Sequence, residues 1–158
     1  MKIEMPNFAA NDPQLRDAVL LANQLLQGKY GFLDKVREVT SFEYSKNHTT
    51  HQPVSGEDIA PLLAQKVDVS IKKYKPWYIW SKAIASTIPG VPVIRLNQYK
   101  LNRPADETAA TLIHECVHIV DTQKKLSFGH GNNYAYGKEL SAPYQIEKIA
   151  QEIIAKIR

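Results

Sequence analysis

The chain has 158 residues, of which 44% are apolar, enough to bury a sizeable core within one domain spanning 1–158. Lys and Arg total 20 against 16 Asp and Glu, but outside KKYK (72–75) and KK (124–125) the basic residues are scattered, which fits solvated lysines rather than a nucleic-acid-binding face. No apolar run approaches the roughly 18 residues that cross a bilayer, the N-terminal MKIEMPNFAANDPQ lacks a secretory-signal pattern, and Cys116 as the single cysteine excludes an intramolecular disulfide; the expectation is a soluble protein, cytoplasmic or exported without a signal peptide.

In NDPQLRDAVLLANQLLQGKYG, Asp12 is placed to cap a helix that opens at Pro13, carries Leu15, Val19, Ala22, Leu25 and Leu26 at helical spacing, and closes at Gly28. Residues 36–46 read as a half-buried strand, because Val36 and Val39 precede an alternation of Phe42 and Tyr44 with polar neighbours. NHTTHQP is loop. A shorter helix from about 56 to 66 follows, with Ser55 and Asp58 at capping-box spacing and Pro61 inside it.

VDVSIKKYK alternates Val67, Val69 and Ile71 with polar residues and predicts a strand. PWYIWSKAIAST predicts a second strand or a crossing segment, interrupted by IPGVP, and a strand resumes around Val93–Leu96. Asn102 is a candidate cap for a helix from about 104 to 124, and Ile146, Ile149, Ala150, Ile153, Ile154 and Ile157 mark a C-terminal helix with one apolar stripe.

The helix over 104–124 contains TLIHECVHIVDTQ. His114 and His118 lie four residues apart, within about 40° of each other around a helix and one turn apart. Leu112, Ile113, Cys116, Ile119 and Val120 fall on the other side, so the histidines are expected on an exposed face, where their nitrogens can meet one Zn²⁺ at about 2 Å. This is the HExxH pattern. Zinc brings the pKa of a bound water from about 16 toward 7, and Glu115 is placed to take that water's proton as general base and pass it to a leaving amine.

A catalytic zinc site needs a third protein ligand, and Asp121, His130, Glu139 and Glu147 compete for the place. Asp121 is one turn further along, where a straight helix carries its side chain past the metal. Glu147 falls on the polar side of the last helix. Glu139 follows His118 at a spacing near that of thermolysin-like enzymes, but YGKELSAP matches their helical motif poorly. His130 sits in SFGHGNN, where Gly129 and Gly131 permit a sharp bend that returns the ring toward the helix. His130 is preferred, with Glu139 the alternative. His48 and His51 in NHTTH read as surface histidines, with a second metal as the other possibility.

TLIHECVH followed by SFGHGNN and SAPY resembles the zincin metallopeptidases with a third histidine, in particular small bacterial ones, over about residues 65–147. It departs from the metzincins, whose third histidine follows the second by about six residues; here His130 follows His118 by twelve, a longer gap similar to that of SprT-like proteases. The resemblance implies an α+β zincin-like domain with a small twisted, mostly antiparallel sheet packed on the HExxH helix, between N- and C-terminal helices. It implies Zn²⁺ as cofactor, a peptide or protein as substrate, and Tyr144 as the residue that stabilises the oxyanion, a buried tyrosine bonded to backbone being the alternative. It also implies that substrate adds as a strand to a sheet edge, for which PVIRLN is the candidate, with Arg95 or Asn97 in contact.

The expected function is therefore zinc-dependent hydrolysis of peptide bonds, an endopeptidase with ligands His114, His118 and His130. The alternative is a non-hydrolytic, zinc-stabilised binding or toxin-like domain with the aromatics of 74–80 as its contact patch. A third reading, proteolysis at DNA, has only the modest basic balance behind it.

Overall fold

The computed structural model describes residues 1–43, 46–47, 52–77, 83–88, 91–124, 126–127 and 138–157, and for 46–47, 88, 122–124, 126–127 and 138 the backbone alone. The first helix, α1 (Pro13–Leu26), begins as its sequence predicts: the Asp12 carboxylate accepts from the Leu15 N–H at 3.0 Å, with Pro13 at the first helical position. Its apolar stripe, Leu15, Val19, Ala22, Leu25 and Leu26, is buried.

Residues 32–37 correct the expectation of a strand starting at Val36. They form a short helix, α2 (Phe32–Arg37), with Phe32, Leu33 and Val36 buried. Those three positions share a helical face, and the pairs Arg37–Asp34 and Lys35–Glu38 at i,i+3 support it. Reading from Val36 onward weighted the β-branched residues and cut this pattern in two. Phe42, in the following segment, is buried, and its N–H donates to the Val54 carbonyl at 2.8 Å.

The next helix, α3 (Gly56–Leu63), has the capping box expected of Ser55 and Asp58: Ser55 N–H donates to Asp58 Oδ2 at 2.8 Å, and Asp58 N–H to Ser55 Oγ at 3.3 Å. Its first residue lies so close to α2 that a Cβ on Gly56 would collide with the Val36 carbonyl.

Five described helices and a mixed four-stranded sheet make an α+β fold. Strand β1 is Lys2–Ile3, a two-residue β2 is Lys46–Asn47, and the larger strands are β3 (Asp68–Tyr74), β4 (Ala85–Ile88) and β5 (Val91–Asn97). The sheet order is β1-β3-β5-β4. β1 and β5 both run parallel to β3, and β4 alone pairs antiparallel, with β5. The expectation of a mostly antiparallel sheet is thereby corrected. Alternating side chains predict that a segment is a strand and which face it buries, but not the direction of its neighbour. The chain leaves β3, reaches the outer position as β4, and returns as β5 into the slot between them. PVIRLN is consequently an interior strand, not the edge expected of it.

The β1 edge is closed by α1. Lys2 and Glu4 N–H groups donate to Val67 and Val69 carbonyls, whereas the Ile3 N–H and C=O pair with the Asn23 carboxamide at 2.7 and 2.8 Å. β4 is the outer strand on the opposite side.

Helix α4 (Ala105–Lys124) occupies the centre, touching α1, α3, β4 and β5, with α5 (Ala142–Ile157) laid along it. It starts at Ala105, so Asn102 lies ahead of the capping position. Ala109, Ala110, Leu112, Ile113, Cys116, Val117, Ile119 and Val120 are all buried. A short β6 (Leu126–Ser127) follows and pairs antiparallel with β2. No described helix is long and apolar enough to cross a membrane.

Candidate metal centre

Helix α4 carries the HExxH residues, and burial all round it corrects one expectation about them. His114 and Glu115 are 8% and 6% exposed, so the histidine side does not face open solvent. α5 covers it, bringing Tyr144 and Glu147 against His114. Only His118, one turn on, is half-buried.

The ring centres of His114 and His118 lie 5.0 Å apart, with planes at 60°. Two imidazoles on one tetrahedral ion, each with its nitrogen about 2 Å from it, have ring centres about 5 Å apart. The pair therefore fits a shared Zn²⁺, and nitrogen donors are the chemistry zinc takes.

Glu147 Oε2 is 2.8 Å from His114 Nδ1, with the Glu147 side chain 20% exposed and that of His114 10%. That contact engages one ring nitrogen and leaves Nε2 as the one a metal would use. Tyr144, one turn earlier on α5, packs edge-on against the same ring, with centres 4.7 Å apart and planes at 83°. The tyrosine expected at the oxyanion thus also touches a proposed ligand.

Burial pushes the Glu115 carboxyl up from its usual 4.5 to about 7; the His114 and Arg95 charges pull it down and Glu147 pushes it up, but burial prevails. A carboxyl poised near neutrality suits proton transfer in either direction. Cys116, on the adjoining side of the helix, is fully buried, and burial pushes its thiol to about 12, leaving it an inert core residue.

Among the described residues, no three His, Cys, Asp or Glu side chains are grouped so as to hold a metal ion. Asp121, Glu139 and Glu147 are all described, and none completes a set with His114 and His118. Glu139 is exposed, in a single 3-10 turn (Lys138–Leu140) ahead of α5. His130 lies outside the described residues, as do His48 and His51.

Of the two residues expected to touch substrate, Asn97 is fully buried: its amide donates to the Ala83 carbonyl at 2.9 Å, and its oxygen accepts from the Tyr99 N–H at 3.0 Å. It holds the end of β5 and is corrected to a structural role. Arg95 is exposed, with its guanidinium 5.6 Å from the Tyr74 ring centre.

The contact of Glu147 with His114 is the relationship that sequence reasoning missed, having weighed Glu147 only as one competitor for the third-ligand place. The signal was its position three residues after Tyr144, on the same side of α5. Comparison of the chain with family models, with curated proteins and with solved structures returned no match. The likeness to zincins accordingly stands on the motif residues themselves.

Proposed function

We propose that the chain is a zinc-dependent peptidase with a zincin-like active site built on α4. The observation that supports this most is the 5.0 Å spacing of the His114 and His118 rings, one turn apart, with the buried Glu115 between them in the chain. His114 through Nε2, His118, and His130 from the segment after β6 are the proposed ligands.

Zinc, when bound, supplies a Lewis acid that makes water nucleophilic at neutral pH and polarises a carbonyl. Glu115 accepts the proton of the attacking water on its carboxylate and delivers it to the departing amine. Tyr144 donates its hydroxyl to the developing oxyanion. With β5 interior, an extended peptide would add to β4, the outer strand that packs beside α4.

The test is metal analysis of the purified chain together with cleavage of a mixed peptide library by the parent and by Glu115→Gln. One zinc per chain and peptide cleavage that collapses in the variant are expected; a metal-free chain, or undiminished cleavage, ends the proposal.

A second reading draws on the His114–Glu147 contact, which ties α4 to α5 and would do so in a non-hydrolytic, zinc-stabilised binding domain. There Glu115→Gln leaves biological activity intact.

A further inference from the structure

We propose that Glu147 is the positioning residue of the metal centre, setting which nitrogen of His114 faces the ion. The inference rests on the zinc reading and deepens it by making a helix of the far C-terminal region part of the site. An ionised carboxylate only accepts hydrogen bonds, so at 2.8 Å from Glu147 Oε2 the His114 Nδ1 carries the proton. In the neutral ring, the lone pair then resides on Nε2. An imidazole in water favours the opposite tautomer, protonated at Nε2, which cannot bind a cation through that atom. Glu147 reverses the preference before any metal arrives.

Tyr144 and Glu147 are three residues apart, so one side of α5 supplies both the edge-on ring and the carboxylate. His114 is held from two directions in one orientation.

The experiment uses the full chain labelled with ¹⁵N-histidine. Long-range ¹H–¹⁵N correlation of the metal-free protein at about pH 8.5, above the usual histidine range, reads the His114 tautomer directly and needs no variant. Protonation at Nδ1 is expected; protonation at Nε2 overturns the proposal. Glu147→Ala should return the ring to the Nε2-protonated form and lower zinc affinity, measured by chelator competition, about 10–100-fold. Glu147→Gln, whose carboxamide oxygen still accepts from Nδ1, should keep the tautomer and recover part of that affinity. A variant that melts earlier but keeps both tautomer and zinc affinity reduces Glu147 to a structural tie and refutes the assignment. Should the parent show Nδ1 protonated and take up no zinc, the metal reading falls while the tautomer control by Glu147 stands, so the two failures are separable.

Discussion

The Tyr144 ring meets His114 edge-on, with centres 4.7 Å apart, so the proposed function gives one side chain two separable roles: a ring that packs on a proposed ligand and a hydroxyl proposed to meet the oxyanion. Tyr144→Phe retains the ring and removes the hydroxyl. Zinc content and melting temperature are expected to stay at parental values while kcat falls about 100-fold, the usual cost of losing one oxyanion donor. Tyr144→Ala should lower zinc affinity as well. Equal kcat in Tyr144→Phe and the parent would assign the residue to packing alone.

Glu115 links the proposed chemistry to stability. Its folded pKa of about 7 stands above the usual 4.5, so between those values the folded metal-free protein holds a proton the unfolded chain has released. Stability from this group is complete below about pH 4.5 and is lost as pH rises through 7, a total of about 3 kcal/mol at roughly 1.4 kcal/mol per unit. Glu115→Gln has no proton to lose. In chelator-treated protein the variant should gain on the parent as pH rises from 5 to about 8 and level off above it, followed by urea unfolding. In the zinc-loaded form the same variant should lose about 10²–10⁴-fold in turnover. Parallel stability profiles for the two proteins would show that the carboxyl does not pay a burial cost.

What the sequence reveals here is local. The Asp12 cap, the Ser55–Asp58 box and the isoleucine stripe of α5 are written within a few residues of each other, and each element forms where those signals place it. The HExxH spacing belongs to the same class, since a helix brings i and i+4 together by its own geometry. Non-local relationships were not legible. β3 and β5 look alike whether they run parallel or antiparallel, and nothing in Val91–Asn97 announces that β4 will lie outside it. His114 and Glu147 are 33 residues apart, and only the packing of α5 on α4 makes them neighbours. The exposed histidine face failed for the same reason: a periodicity tells which side of a helix differs, not which later element covers it.

Gly56 tests the packing on which these relationships depend. Its Cα lies against the backbone of Val36 and Arg37, where an added methyl collides with a carbonyl that has little freedom to move. Gly56→Ala, which on helix propensity alone should stabilise α3 by up to about 1 kcal/mol, is instead expected to destabilise by about 1–3 kcal/mol through overpacking. Chemical denaturation decides the sign. A stabilised variant would mean that α2 and α3 approach less closely than described.

Zinc dependence of stability would separate the proposed ligands from the proposed general base. If the ion binds the folded chain and not the unfolded one, free zinc at about 1,000 times its Kd adds about 4 kcal/mol, or roughly 10 °C in Tm for a domain this size. His118→Ala removes a proposed ligand that is half-buried, so its metal-free form should melt close to the parental temperature, yet zinc should no longer raise it. Glu115→Gln touches no proposed ligand atom and should keep the full zinc-induced shift while losing turnover. The contrast matters because either variant alone is ambiguous: loss of activity in His118→Ala fits a structural or a catalytic metal, and loss in Glu115→Gln fits any use of that carboxylate. A zinc shift retained in Glu115→Gln and lost in His118→Ala, with both inactive, is the pattern a hydrolytic centre requires, whereas a binding domain keeps its biological activity in the first and loses it in the second.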